Sequence, residues 1–225
     1  MLGEHVARAK KPVVSARKHP RQARSTRLVA DILEASARVL VRHGAHRFTT
    51  ARVAEAAGVS VGSLYQYFPN KEAILFRLQA QEWGQTMGEL RRILGDTRVA
   101  PLERVHAAVR MFFRSECDEA AFRSALEEAA PLYREAPESR AHAEEGRDLM
   151  DTFMKDALPA ASVRKRAFAA DLVGLVMSSV GKAISGQSRS RSEVDEIAVA
   201  IAEMICAYLN TGGDRQARMT CVKIS

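Results

Sequence analysis

Residues 49–71 read TTARVAEAAGVSVGSLYQYFPNK and predict two short helices joined by a tight turn. Thr49 or Thr50 can cap the first helix, because a threonine oxygen accepts a hydrogen bond from a backbone N–H left unpaired at a helix start. Gly58 follows that helix, at a position where the chain often turns left-handed and glycine does so without steric cost. Ser60 can cap the helix that follows.

The second helix is predicted over residues 61–67, and Pro69 ends it because proline has no backbone N–H to donate. Leu64 and Phe68 lie four residues apart and form its inner face. In a helix-turn-helix, such a second helix enters the DNA major groove while the first lies across the backbone. Small and polar residues suit that position, since they permit close approach to base edges. The side chains expected to face outward are Ser63, Gln66 and Tyr67.

This pattern resembles the DNA-binding signature of the TetR (tetracycline-repressor) family. The resemblance covers about one fifth of the chain, and its positions are Thr49, Thr50, Val53, Ala54, Ala57, Gly58, Val59, Ser60, Gly62, Leu64, Tyr65, Tyr67, Phe68 and Lys71, with Ile32, Leu33, Leu40 and Gly44 upstream. It implies an all-α fold, with an N-terminal three-helix DNA-binding domain and a C-terminal helical domain for ligand binding and dimerisation.

The resemblance also implies which residues contact DNA. The first helix would bring Arg52 and the two threonines before it to the phosphates and groove, and Tyr67 and Lys71 would hold phosphates. Ala51 stands where some members have a long polar contact residue, which leaves base reading by the first helix open. The predicted DNA-binding residues are Thr49, Thr50, Arg52, Ser60, Val61, Gly62, Ser63, Tyr65, Gln66, Tyr67 and Lys71.

Two other interpretations of this stretch compete with this one. Gly58, Ser60 and Gly62 also match G-x-S-x-G, the nucleophile motif of α/β hydrolases. That motif needs a buried β-strand before the serine, whereas the preceding AEAA favours a helix and no β-branched run lies nearby. A generic helix pair without a DNA-binding role is the second alternative.

The positive charge lies beside this motif. The chain of 225 residues has 34 Lys and Arg against 27 Asp and Glu, a net charge of +7. Residues 1–27 hold eight basic side chains and one acidic one, so the remaining residues are balanced. A basic arm suggests attraction to DNA phosphates, and whether it also reads the minor groove is left open.

The domain boundaries follow from composition and helical periodicity. Residues 1–24 are predicted to be a disordered basic arm and residues 25–76 the helix-turn-helix domain, whose first helix is capped by Ser25 or Thr26. Residues 77–210 are predicted to form the ligand-binding and dimerisation domain, and residues 211–225 a tail. A long helix from residue 71 to about 94 is expected to join both domains and to transmit ligand binding to the DNA-reading end.

Methionine and aromatic residues in the second domain predict an apolar effector pocket, with packed core as the alternative explanation. The candidate lining residues are Trp83, Met87, His106, Phe112, Phe113, Phe122, Met150, Phe153, Met154 and Met177.

The last two predicted helices, residues 162–185 and 192–209, are more apolar than a one-sided surface helix needs. The family resemblance implies that they form the dimer interface, and the alternative is that they complete a monomer core. The candidate interface residues are Phe168, Leu172, Leu175, Val176, Ser179, Ile197, Ile201, Ile205 and Tyr208.

No cofactor, metal site or catalytic site is predicted. The three cysteines at 117, 206 and 221 are widely spaced, which fits a reducing compartment, and a redox role is left open. The adjacent pairs Glu127, Glu128 and Glu144, Glu145 point different ways on helices and are read as solvated faces. No secretory signal is predicted, and the longest apolar run, residues 172–181, is half of a membrane span.

The predicted function is therefore that of a cytoplasmic, homodimeric, sequence-specific transcriptional regulator, a repressor released by a small hydrophobic effector. Its expected partners are a palindromic operator in double-stranded DNA, that effector and a second copy of the chain, with no membrane. The alternatives are a non-specific architectural DNA-binding protein and a helical enzyme. The effector, the operator, the regulated genes and the choice between repression and activation cannot be read from the sequence.

Overall fold

The computed structural model describes residues 23–133 and 137–211, with side chains for residues 25–133 and 144–211. The described residues form helices and contain no β-strand, which confirms the all-α prediction. The α-helices are α1 (Ala23–His43), α2 (Thr50–Ala57), α3 (Val61–Tyr65), α4 (Lys71–Leu94), α5 (Pro101–Asp118), α6 (Ala120–Ala129), α7 (Pro137–Ala157), α8 (Val163–Ser185) and α9 (Arg191–Thr211). Short 3₁₀ helices span Ala45–Arg47 and Ala130–Leu132.

The helices divide into two compact units. The first contains residues up to Glu82 together with Ala121–His142, and the second contains Trp83–Ala120 and the residues from Ala143 onward. The boundary therefore falls within α4, one continuous helix. The expectation that a single helix carries residues of both cores is met, because Ile74 and Leu75 are buried in the first core and Leu94 in the second.

The first core surrounds the helix-turn-helix. Phe48, between α1 and α2, is fully buried. Gly44 ends α1 with a φ of 68°. The apolar face of α1 is buried as its periodicity predicts, and the fully buried members of this core include Ile32, Leu40, Val53, Leu64, Ile74 and Leu75.

Helix α1 begins earlier than the sequence suggests. Ser25 and Thr26 lie inside it, so the prediction that one of them caps its start is wrong. Ala, Arg and neighbouring residues are good helix formers, and the helix continues through a serine when nothing forces it to stop. The predicted basic arm falls on residues 1–22, outside the described residues, and on Ala23 and Arg24, which are helical.

Helix α6 packs with the first unit. Leu126 and Ala129 are buried in its core, and Tyr133 donates to the Leu126 carbonyl at 3.1 Å and to Gln79 Oε1 at 3.2 Å. A largely buried ion pair of 2.8 Å joins Arg123 to Glu82 on α4. The sequence assigned residues 77–210 to one domain, so this packing places part of that range with the DNA-binding helices. The predicted boundaries themselves stay a prediction.

The second core is formed chiefly by α5, α8 and α9. Val105, Val109 and Phe113 of α5 are buried in it, as are Ala198 and Ala202 of α9. A small residue of α8 permits close helix approach here. A Cβ on Gly181 would lie 3.0 Å from the Phe112 ring.

A buried arginine orders the end of α4 in this unit. Arg104 is only 3% exposed, and its Nη1 donates to the Leu94 carbonyl at 2.5 Å. Its Nη2 pairs with Asp156 of α7, and its guanidinium carbon lies 5.5 Å from the centre of the Phe153 ring. The carbonyl at the end of a helix has no partner inside the helix, so Arg104 supplies one.

Candidate nucleic-acid interface

The turn between α2 and α3 has the geometry expected of a helix-turn-helix. Thr49 caps α2 by accepting from the Arg52 N–H at 3.3 Å, and Ser60 caps α3 by accepting from the Ser63 N–H at 3.0 Å. Gly58 has a φ of 67° and a ψ of 30°, in the left-handed region. The Val59 N–H then donates to the Ala54 carbonyl at 2.9 Å. Both ends of the turn are held by hydrogen bonds, so the angle between the helices is defined locally.

Helix α3 exposes a small and polar face. Val61 is 40% exposed and Gly62 and Gln66 are exposed, whereas Leu64 is fully buried. The Ser63 Oγ lies 2.9 Å from the Ser60 Oγ, so the capping hydroxyl is held by its neighbour. The residues at the start of α3 are small enough for the helix to approach base edges closely.

Helix α3 is shorter than predicted. It ends at Tyr65, and not at residue 67. After Tyr65 two bonds run over three residues, from the Gln66 N–H to the Ser63 carbonyl (3.3 Å) and from the Tyr67 N–H to the Leu64 carbonyl (3.0 Å). Such bonds tighten the last turn of a helix.

The prediction that Tyr67 faces outward is wrong. Its side chain is 7% exposed and belongs to the first core, beside Phe68, which is 1% exposed. Tyr67 follows the buried Leu64 by three residues, and residues three apart lie on the same side of a helix, so both belong to the first core. A role for the Tyr67 hydroxyl in holding a phosphate stays a prediction.

Four further candidates lie at the start of α2, the end of α3 and the start of α4. The Tyr65 hydroxyl and the Thr50 Oγ1 are 3.2 Å apart, so they join the two helices at one edge of the exposed face. Arg52 is exposed and donates from Nη1 to the Arg47 carbonyl at 2.5 Å. Lys71 is half-buried in the first position of α4.

One local contact was missed by the sequence analysis. The Asn70 Oδ1 accepts from the Ala73 N–H at 2.8 Å, which caps the start of α4. An asparagine directly before a long apolar-periodic helix is a signal that could have found it. This cap holds Lys71, the next residue, at the edge of the helix-turn-helix.

The predicted effector residues are not all brought together. Phe122 packs against the first core, while the other candidates lie in the second unit. Phe113, Phe153 and Met154 are buried in the second core, and the remaining candidates are half-buried, namely Trp83, Met87, His106, Phe112, Met150 and Met177. Their role in binding an effector stays a prediction.

The predicted interface residues divide by exposure. Phe168 and Leu175 are 61% and 63% exposed on α8, Ser179 is exposed, and Ile205 is buried in the core of its own chain. The other candidates, Leu172, Val176, Ile197, Ile201 and Tyr208, are half-buried. Met204 of α9, which the sequence analysis did not choose, is 65% exposed.

Helix α8 also has the length and hydropathy that a membrane-crossing helix requires, and 17% of its most apolar window is buried. This match rests on length and composition alone, and one such helix is weak evidence for a membrane span.

The described cysteines show no sign of activation. Burial raises the pKa of the Cys117 thiol and of the Cys206 thiol, which disfavours the reactive thiolate. Cys221 lies outside the described residues. Among the described residues, no group of three or more His, Cys, Asp and Glu side chains is arranged to hold a metal ion.

Two family models match the chain. Residues 32–78 match the model of bacterial regulatory proteins of the tetR family, and residues 100–211 match the tetracyclin repressor-like C-terminal domain. The fatty acid metabolism regulator protein of Bacillus subtilis (strain 168) is 39% identical over 54 residues. That match covers 24% of this chain and 28% of the relative, so it spans little more than a quarter of the relative's length.

Solved structures with the same fold cover most of the chain. The fatty acid degradation regulator FadR of Bacillus halodurans is 19% identical, with a TM-score of 0.63 over 80% of this chain and 94% of that one. A TetR-like transcriptional regulator of Rhodococcus sp. RHA1 is 17% identical, with a TM-score of 0.61 over 84% and 99%. SmeT in its complex with triclosan is 19% identical, with a TM-score of 0.63 over 80% and 90%. At such identity these likenesses show the fold.

The two family models follow each other along the chain as the structural parts do. The first covers the capped helix pair with its left-handed Gly58, and the second covers α5 to α9. The chain belongs to the TetR family of bacterial transcriptional regulators.

Proposed function

We propose that this chain is a homodimeric repressor that reads a palindromic operator and is released from it by a small hydrophobic effector. The observation that carries the proposal is the exposed face of α3, where Val61, Gly62 and Gln66 are accessible on a helix fixed at both ends. A side-chain amide such as that of Gln66 can bond a base edge, and Val61 can contact a thymine methyl group. The remaining predicted residues at this face hold phosphates, which positions α3.

Dimerisation is supported by the apolar surface of the second unit. Phe168 and Leu175 are seven residues apart, two helical turns, and therefore share one face of α8. Large exposed apolar side chains on a single face mark an interaction site. A second copy covering them would create a two-fold symmetric molecule, as a palindromic operator with half-sites about 34–36 Å apart requires.

A hydrophobic effector is supported by the composition of the second unit and by its relatives. Met150, Met177 and Phe112 are half-buried at the edge of a core rich in methionine and phenylalanine. The relatives include regulators of fatty acid metabolism and degradation and a complex with triclosan, all apolar chemistries. Since α4 carries residues of both cores, an effector that shifts its second half also biases the reading helices.

The alternative is an architectural protein that binds DNA without sequence preference. Selection of duplexes from a random library by the purified chain distinguishes the two, because a regulator enriches one palindromic sequence and an architectural protein does not. Binding to the enriched duplex and to a scrambled one is then compared by fluorescence anisotropy.

Gln66→Ala tests the role of α3 directly. It should reduce the preference for the enriched duplex about tenfold, because a good bidentate base contact contributes about 1–3 kcal/mol. Gln85→Ala, which removes the same amide from an exposed position of α4, is the matched control. Equal affinity of the unmodified chain for both duplexes would refute the operator-reading proposal.

A further inference from the structure

A basic cleft lies between α1 and α2, beside the DNA-reading surface. It has a volume of about 390 Å³ and is lined by the last turns of α1 and by exposed residues of α2. No residue of α3 lines it. Its lining residues are Arg38, Val39, Arg42, His43, Arg52, Glu55 and Ala56, which we call the α1–α2 cleft.

The α1–α2 cleft carries a net positive charge. Three guanidinium groups face one carboxylate, that of Glu55, which leaves two positive charges with His43 neutral. Arg38 also pairs with Glu34 at 2.5 Å, but both side chains are more than half exposed, so water and salt weaken that pair. Within the described residues, Arg42 and Arg52 form no ion pair.

Along α2 the cleft extends from Arg52, in the first turn, to Glu55 and Ala56, in the last. The hydrogen bond from Arg52 Nη1 to the Arg47 carbonyl holds that guanidinium beside the first turn of α2, next to the Thr49 cap. In a helix-turn-helix the first helix lies across the phosphate backbone, and helix N-termini attract phosphates. Arg42, in the last turn of α1, and Arg38, one turn earlier, extend this positive surface along α1.

We propose that the α1–α2 cleft binds backbone phosphates of the duplex outside the base pairs read by α3, with Arg42 and Arg38 as the added donors. The proposal rests on the proposed DNA binding and extends its footprint. Phosphates are the chemistry that fits, because guanidinium groups bond phosphate oxygens in a bidentate geometry and carry a permanent charge. These contacts add affinity and carry no sequence information.

The proposal predicts a specific salt dependence. Each neutralised phosphate lowers the slope of log affinity against log salt by about 0.9, so each contact contributes about a 3.5-fold change in affinity between about 50 and 200 mM salt. A homodimer has two such clefts, so loss of both arginines from each protomer removes about four contacts and should reduce the salt effect about 150-fold over that range.

The variants are Arg42→Gln and the double variant Arg38→Gln, Arg42→Gln. Arg77→Gln is the control, because Arg77 is exposed on α4 in the same unit and lies outside the cleft, and its loss removes the same charge. Binding is measured by anisotropy to three duplexes. These are the enriched sequence alone, the same sequence extended by about one helical turn on each side, and a scrambled duplex of the longer length.

The unmodified chain should bind the extended duplex more tightly than the short one. The double variant should lose that gain together with the salt effect of about 150-fold. The preference for the enriched over the scrambled sequence should be unchanged in the double variant. If Arg77→Gln lowers the slope as much as Arg42→Gln, or if neither cleft variant changes it, the proposal is refuted.

Two outcomes separate this proposal from others. If no sequence is enriched, operator reading fails, yet the salt slopes on the scrambled duplex still decide whether the cleft binds phosphates. Inorganic pyrophosphate could instead raise the melting temperature of the unmodified chain but not of Arg42→Gln, while both chains show the same slope of log DNA affinity against log salt. In that case the cleft binds a free anion and the proposal is overturned.

Discussion

Substitution of Gly58 by alanine tests whether the helix-turn-helix depends on a left-handed residue. Gly58 has a φ of 67°, and a Cβ at this position would meet no heavy atom within 4 Å. The cost is therefore one of backbone conformation alone. A left-handed conformation costs an L-residue about 1–2 kcal/mol, partly offset because alanine reduces the freedom of the unfolded chain, which leaves a net loss of about 1 kcal/mol.

The same substitution at Gly84 is the matched control with the opposite sign. Gly84 lies inside α4, and a Cβ there also meets nothing within 4 Å. Because alanine is favoured over glycine in a helix interior, Gly84→Ala should stabilise the chain by about 1 kcal/mol. Gly58→Asn should fall between Gly58→Ala and the unmodified chain, since asparagine tolerates the left-handed region.

Thermal unfolding followed by far-ultraviolet circular dichroism measures these effects. For a chain of this size, 1 kcal/mol corresponds to a shift of about 2–4 °C in melting temperature. Gly58→Ala should also weaken DNA binding, because the angle between α2 and α3 changes. The reasoning is refuted if Gly58→Ala is neutral or stabilising, or if Gly84→Ala lowers the melting temperature by the same amount.

Three further predictions concern a cap, the apolar face of α8 and an exposed ion pair. Ser60→Ala removes the oxygen that accepts from the Ser63 N–H at the start of α3, so it should lower the free energy of unfolding by about 1 kcal/mol in denaturant unfolding. An unchanged free energy of unfolding would contradict this and show that water replaces the cap. Phe168→Glu should convert the dimer to monomers, as measured by light scattering. Val41→Glu, at an exposed position of α1, is the control and should leave the dimer intact. A Phe168→Glu chain that remains dimeric would contradict the proposed interface. Hydrogen bonds from Arg98 lower the pKa of Asp96 from 3.8 to about 2, so its stabilising effect is present above about pH 4 and is lost as the pH falls towards 2. Asp96→Asn should remove that part of the acid dependence, and an unchanged acid limb would show that the pair contributes nothing.

The local features of the helix-turn-helix could be predicted because neighbouring residues determine them. The caps at Thr49 and Ser60 and the left-handed Gly58 depend on hydrogen bonds and backbone torsions within a few residues. The bounds of α4 were predicted for the same reason, since its apolar repeat is continuous from Lys71 to Leu94.

Placement of side chains was harder to predict where it depends on distant contacts. Tyr67 was expected to face outward, but it lies three residues after the buried Leu64, on the same side of the helix, and its ring enters the core. Phe122 was grouped with the effector residues by composition, yet it packs with the DNA-binding core. Apolar residues look alike in a sequence, and only the packing tells which core they fill.

The sequence by itself determined the family, the helical fold and the geometry of the turn at Gly58, because short-range hydrogen bonding and backbone sterics encode them. Tertiary structure alone decided that α6 joins the first core through Leu126 and that Ile205 is buried while Phe168 is exposed. It also brought Arg42 and Arg52 to one cleft. These arrangements depend on contacts between residues far apart in the chain, whose partners no local pattern specifies.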